Sequence, residues 1–488
     1  MNPLLSIEKL TTPAGILICT ALLLSGCINS HQQLPVNSGP TGHRALMPHP
    51  KNNRYFTDGS QRAIYMAGSH TWNNFQDVGK GSYKGAIGYI EYLNLLEKLH
   101  HNFIRLWVYE FPTKRYPQVA PLAFQRVGPE LAQDGRLRYD LTRFDQAYFD
   151  RLRQRVSEAE MRGMYVSIML FRGGTEFPDD WSYHPFHALN NVNGIDGDPS
   201  GTGQGKAMHT LEIPAITRIQ QAYVEKVITT VNDLPNVLYE VGNEIPQHSM
   251  PWQYAMINHI KSFESKLGLR HPVGMTTRGF GGDYDDTRDL FASPADWISP
   301  STNRDDYKND PPVADGRKVI IIDTDHIWGV GGDSSWVWKT FTRGLNPIYM
   351  DTYTDHDEER GAKLSPWNIP PVPADFSARL ALGYSRKYAD RIGLAAMVPR
   401  PDLCSTKYCL VNLGKEYLVY LPAQSKGRQC VEVELSDMST SFAVEWFDPK
   451  NEQTIRNEIS SSGGKKTFVA PFDGEAVLYI RSSLLNES

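Results

Sequence analysis

Over residues 51–396 the apolar positions alternate between short strand-like runs and longer stretches of helical period. Two apolar arms within residues 54–68, joined through Asp58-Gly59, predict a hairpin whose second arm leads into a polar and aromatic segment at 69–77. The pattern then predicts helices at 87–100, 144–162, 214–234, 335–342 and 376–391. Between them it predicts strands at 102–109, 163–171, 236–244, 272–277, 296–299, 318–329 and 347–352. The 236–244 run is apolar on both faces, as in a buried parallel strand, and ends abruptly at Gly242-Asn243-Glu244. Strand and helix in alternation predict an α/β fold, a (β/α)8 TIM barrel, with function in the loops that follow the strands.

From about residue 398 the spacing changes to short alternating strands at 417–421, 430–435, 442–446 and 476–480, separated by Gly, Pro, Asp and Ser turns. These predict a small all-β sandwich over 397–488. At the other end, Lys9 precedes the apolar run 16–24, which is too short to span a bilayer comfortably and ends in Leu24-Ser25-Gly26-Cys27. That tetrapeptide resembles a bacterial lipobox. The resemblance implies a signal peptide at 1–27, lipidation of Cys27, and anchoring to the cell envelope, at the outer membrane in a Gram-negative cell, by lipid alone. Residues 28–50, rich in Ser, Gln, Asn, His, Pro and Gly, suit a flexible tether.

The 488 residues carry a formal net charge of −5 and no dense Lys/Arg cluster, which excludes a nucleic-acid partner. Outside the first 27 residues only Cys404, Cys409 and Cys430 remain. Cys404 and Cys409 flank a four-residue segment and could close a small disulfide, leaving Cys430 free and buried. There is no Cys-x-x-Cys and no His at ligand spacing nearby, so no metal site is expected.

Chemistry gathers at the predicted strand ends. In 102–109, alternation puts Ile104, Leu106 and Val108 on one face and Arg105, Trp107 and Tyr109 on the other. An inward Arg needs a carboxylate partner, because an unpaired buried charge is prohibitively unfavourable. Carboxylates stand at two strand ends, as Glu244 and as Asp323 with Asp325, the last two on one face by the period of two. Asp351 ends the eighth strand. The first loop offers His70 and Trp72, and the loop after Asp325 offers His326 and Trp328, followed by Trp336 and Trp338. Flat indoles of this kind suit the apolar face of a pyranose. A long loop at 172–211, with Phe177, Trp181, His184 and His187, reads as a turn-rich lid.

Asn243-Glu244 at the fourth strand and Asn102-x-x-Arg105-x-Trp107 at the second resemble the signatures of retaining glycosidases of the large (β/α)8 clan. The layout is similar to that of apiosidase-like barrels. The resemblance implies hydrolysis of a poly- or oligosaccharide without cofactor or metal. Glu244 would be the acid/base and Asn243 the holder of the sugar 2-hydroxyl. Arg105 would steady the nucleophile, and Asp325 would be that nucleophile at the seventh strand, where Glu is common in the clan. Asp323 would lie one layer deeper, on Arg105 or a sugar hydroxyl. His70, Trp72, Trp107, His326, Trp328 and Asp351 complete the expected substrate-binding set. Two other readings are an inverting hydrolase using Asp323 and a lipid-anchored glycan-binding protein without catalysis.

Overall fold

The computed structural model describes residues 44–78, 88–113, 116–173, 178–276, 286–301, 306–329, 331–351, 376–424, 427–438, 441–459 and 463–483. Cys27 with its signal segment, most of the tether, Phe177 and the Pro-rich connection 352–375 lie outside them.

Eight parallel strands close in sequence order into a barrel: β1 (Gly68–His70), β2 (Phe103–Leu106), β3 (Tyr165–Arg172), β4 (Val237–Asn243), β5 (Val273–Thr276), β6 (Trp297–Ser299), β7 (Val319–Asp323) and β8 (Asn346–Met350). Around them run α1 (Tyr89–Lys98), α2 (Gln146–Glu160), α3 (Pro214–Val231), α4 (Met250–Glu264), α5 (Asp286–Ala292), α6 (Ser334–Thr342) and α7 (Phe376–Arg391). The ring closes where β8 pairs with β1, Ile348 opposite Gly68 and Met350 opposite His70. At this seam the Asn346 amide donates to the carbonyls of Arg54 and Ile320 and accepts the Met66 N–H, tying three segments together.

The interior is layered by the period of two. Phe103, Trp297, Ile321 and Ile348 fill the lower part. Two residues further along their strands, Arg105, Ser299 and Asp323 join Ser167, Glu240 and Thr276 to make a polar upper layer. Gly274 makes room for the indole of Trp297, since a Cβ there would lie 2.0 Å from its ring. The hydrophobic plug beneath thus ends just where the chemistry begins.

An antiparallel hairpin, Phe124–Leu131 with Leu137–Phe144, stands between β2 and α2, where the sequence pattern predicted no element. It is tied to the loop after β3, Tyr139 exchanging backbone hydrogen bonds with Asn190 and Val192. Asp145 then caps α2 by accepting the Ala147 N–H.

Beyond α7 the chain forms β9 (Val398–Pro399), β10 (Cys409–Asn412), β11 (Glu416–Leu421), β12 (Arg428–Glu434), β13 (Phe442–Asp448), β14 (Gln453–Ile459), β15 (Lys465–Asp473) and β16 (Ala476–Ser482). A six-stranded sheet in the order β9-β10-β11-β16-β13-β14 faces the β12-β15 pair. Alternation along β11 explains how the larger sheet serves two cores. Tyr417, Val419 and Leu421 face the sandwich interior, while Leu418 and Tyr420 join the hydrophobic cluster of the barrel helices. Trp338 of α6 stacks on Tyr420 at 6.3 Å, and Glu445 accepts from Tyr388 and Arg391 of α7. The sandwich therefore supports the barrel wall through an apolar face.

All three cysteines of this region are free thiols, Cys404 and Cys409 buried and Cys430 exposed. The expectation of a buried Cys430 is corrected: on β12 it alternates with Val431 and Val433, which take the inward positions. Trp336 and Trp338 are also core residues, held by their inward places on α6, and present no face for a sugar.

Candidate active site

Arg105 is the hub of the polar layer. Its Nε and Nη2 bind the two oxygens of Glu240 at 2.7 and 2.5 Å, and Nη2 also donates to Asn243 Oδ1 at 2.8 Å. Its Nη1 reaches Asp323 Oδ2 at 3.1 Å and lies 3.5 Å from Asp325 Oδ2. The predicted need for a carboxylate is met three times over. Glu240, which the apolar reading of 236–244 passed over, is its closest partner. Burial opposes the charge, but these carboxylates outweigh it and hold the guanidinium ionised.

Asp323 and Asp325 separate sharply in environment. Asp323 ends β7 with both oxygens engaged: Oδ1 takes His70 Nε2 and the Asp325 N–H, each at 2.9 Å, and Oδ2 takes Arg105. Burial would raise its proton affinity, yet His70 and Arg105 hold the carboxyl well below the usual range. Asp325 lies in the 3-10 turn Thr324–His326, so strand alternation does not carry it to the site; the turn does. Its Oδ2 is buried and accepts no hydrogen bond among the described residues. Burial, together with the charges of Asp323 and Glu244, pushes this carboxyl well above its ordinary value.

Glu244 follows β4 with φ of 52°, a left-handed conformation that a non-glycine residue adopts at a cost of about 1–2 kcal/mol. Close packing holds it there: Gly173 donates its N–H to the Asn243 carbonyl, and a Cβ on Gly173 would lie 2.0 Å from the Glu244 carbonyl oxygen. Glu244 is less buried than Asp325, and its carboxyl is raised by burial, with Arg105 and Arg172 opposing. Two carboxyls of raised proton affinity thus follow β4 and β7, and the charge of Glu244 is among those that raise Asp325.

The remaining predicted residues fall into two groups. Asn243 Oδ1 also accepts His326 Nε2 at 2.9 Å, and His326 Nδ1 faces Ser299 Oγ at 3.1 Å. Burial, with Arg105 and His70 also opposing the cation, lowers the His326 ring to about 3, so it is a neutral donor that orients the Asn243 amide. Trp107 lies under the Arg105 guanidinium at 5.0 Å and meets Trp72 edge-on at 6.5 Å. The buried Trp107 Nε1 and His70 Nδ1 have no hydrogen-bond partner among the described residues. Trp328 is partly exposed against Trp336. Asp351, by contrast, is gripped by Arg379 of α7 and lines a small cavity with Trp72, Tyr109 and Tyr116.

Glu110, not singled out by the sequence, accepts the Arg172 N–H at 2.7 Å, and burial raises its carboxyl to about 7. Only its place one residue beyond Tyr109 could have pointed to it. Among the described residues no group of three or more His, Cys, Asp or Glu is arranged to hold a metal ion.

This architecture places the chain among proteins with a (β/α)8 barrel followed by a C-terminal β-domain. The fold is similar to that of a solved glycoside hydrolase, with TM-score 0.60 and 13% identity, covering 91% of this chain and 98% of the other. It is equally similar to a family 5 glycoside hydrolase from Bacteroides vulgatus, with TM-score 0.59, 13% identity, and 91% and 95% covered. A profile described as a domain of unknown function, DUF6298, matches residues 113–282, the stretch that contains Glu240, Asn243 and Glu244. No curated protein matches the sequence.

Proposed function

We propose that this protein is a retaining glycoside hydrolase in which Glu244 is the acid/base and Asp325 the nucleophile. The observation that carries the reading is the contrast at β7: Asp323 is held by hydrogen bonds from His70, Arg105 and a backbone N–H, whereas Asp325 Oδ2 accepts no hydrogen bond among the described residues, has Arg105 only at 3.5 Å, and is electrostatically linked to Glu244. That contrast favours Asp325 over Asp323 as the reacting group. Glu244, the more accessible of the two, suits the role that exchanges protons with water. The reactive form of the coupled pair carries its single proton on Glu244 and its charge on Asp325: the Glu244 carboxyl protonates the glycosidic oxygen while ionised Asp325 Oδ2 attacks the anomeric carbon and the leaving alcohol departs. Glu244, now ionised, takes a proton from water, whose oxygen displaces Asp325 and gives a product of retained configuration. Arg105 offsets charge on Asp325, and Asn243, its Oδ1 occupied, keeps its amide N–H groups for a substrate hydroxyl.

The test is hydrolysis of a glycan panel by the full chain, with product configuration followed by proton NMR. Retention by the wild type, with losses of about 10²–10⁴-fold in Glu244→Gln, supports the assignment. Inversion would overturn it, and glycan binding without turnover would make the barrel a recognition module. The lipobox-like Leu24-Ser25-Gly26-Cys27 adds the proposal of a lipid anchor. Unchanged membrane anchoring of mature Cys27→Ala protein would refute it.

A further inference from the structure

Trp328, in the loop after β7, keeps part of its indole outside the core. Its N–H donates to the Thr324 carbonyl at 2.8 Å, and its ring meets Trp336 edge-on at 5.7 Å. Over that ring stands Lys308, its Nζ 5.1 Å from the centroid and within range of cation–π attraction. Lys308 belongs to the turn 306–310, which α6 holds from below: Trp336 Nε1 donates to the Tyr307 carbonyl at 3.1 Å and Lys339 Nζ to the Asn309 carbonyl at 2.8 Å. Trp336 therefore supports the indole and also the turn that presents the ammonium.

The charges around this pair are already assigned. Asp306 accepts the Asn309 N–H at 2.8 Å, and Asp310 takes Arg343 at 3.0 Å and the Tyr408 hydroxyl at 2.9 Å. Lys308 is exposed and has no ion pair among the described residues. Arg105, deeper in the barrel, is committed to Glu240 and Asp323. Lys308 is thus a point charge on a flexible four-carbon stem, resting on an aromatic face beside the loop of Asp325. A neutral pyranose stacking on that face must displace the ammonium and offers it nothing in exchange. A pyranose with an anionic substituent at its rim draws the ammonium off the ring into a charge-assisted hydrogen bond.

We propose that Trp328 and Lys308 form a subsite for an acidic sugar residue, whose ring lies on the indole and whose carboxylate or sulfate takes the Lys308 ammonium. The inference rests on the glycoside-hydrolase reading for its substrate class, and it makes that substrate an anionic glycan.

The test is binding, measured by titration calorimetry on the full chain carrying Glu244→Gln so that turnover does not intervene. The probes are oligomers of galacturonate, glucuronate and mannuronate and sulfated galactan oligomers, each beside the same oligomer after carboxyl reduction or desulfation. The expected result is that at least one acidic oligomer binds, and that its affinity falls by about tenfold on neutralisation and again by about tenfold in Lys308→Ala, with Lys308→Arg retaining most of it. The arm that binds tells carboxylate from sulfate. Binding of neutral oligomers alone, of no acidic oligomer, or of an acidic oligomer with equal affinity in Lys308→Ala would overturn the subsite. Retaining hydrolysis of a neutral glycan would leave the roles of Glu244 and Asp325 standing while removing it. Lys308-dependent binding of an acidic glycan that the wild type does not cleave would do the reverse.

Discussion

Arg105 and Glu240 meet as a bidentate pair at 2.7 and 2.5 Å, both buried, directly beneath the carboxyls assigned to catalysis. The pair explains how Asp325 can keep a raised proton affinity 3.5 Å from a guanidinium, since Glu240 and Asp323 already offset much of that charge. Removing the cation strands several carboxylates at once. Arg105→Met is expected to destabilise the fold by about 3–5 kcal/mol, in addition to lowering turnover. Urea denaturation at neutral pH measures this, and an unchanged midpoint would show that the network contributes nothing.

Asp323 and Asp325 should respond to neutralisation with opposite signs. The folded-state proton affinity of Asp323 is depressed, so its ionised form stabilises the fold above the ordinary carboxylate range and that contribution is lost as pH falls. For Asp325 it is raised, so the charge opposes folding once pH exceeds the unfolded value. At pH 7, Asp323→Asn should lower Tm and Asp325→Asn should raise it while abolishing turnover. Thermal melts decide between this outcome and shifts of the same sign.

In the proposed mechanism Glu244 and Asp325 set the pH range of activity. With Glu244 and Asp325 both raised, the singly protonated form should persist above the pH at which isolated carboxylates have ionised. The acidic limb of kcat/KM should therefore lie above pH 4–5, the ordinary range of such groups. A limb at or below that range would place the reacting carboxyls in wetter surroundings.

Gly173 tests whether the backbone of Glu244 must stay where it is. A methyl at Gly173 falls 2.0 Å from the Glu244 carbonyl, so Gly173→Ala must displace one segment or the other. Overpacking of this kind costs about 1–3 kcal/mol, and a shift of about 1 Å at the acid/base costs roughly 10²-fold in rate. Steady-state kinetics with a thermal melt separate the two effects, and full activity would show that Glu244 tolerates movement.

Much of the barrel could be read from the chain because strands such as β3, β4 and β7 are mostly apolar on both faces and helices such as α3 carry a clear period, whereas the pattern predicted no element at α4 or α5. Glu244 and the Asp323/Asp325 pair were legible as carboxylates where apolar strands stop. Glu240 was not, since its meaning depends on an arginine 135 positions away whose fork it completes. Asp325 was placed by alternation but reaches Arg105 through a turn. The hairpin after β2 had a signal in Asp134-Gly135, where Gly135 takes φ of 75°, yet its strands are largely exposed and lack an apolar face to announce them. Asp351 sits at a strand end as expected, but Arg379, from a helix that follows 28 positions later, claims its carboxylate.

The seam at Asn346 bears on how such a chain can be assembled. Its amide bridges Arg54, Met66 and Ile320, so the junction forms only after a loop of nearly 300 residues has been brought together. Until then β1 and β7 each present an unpaired parallel edge, the kind of surface that joins to other chains. A nascent chain stalled before residue 346 is thus a ribbon with two adhesive borders, and vectorial synthesis exposes that state every time the protein is made. A holdase that covers the β1 and β7 borders until the eighth strand arrives would protect this fold at its open stage.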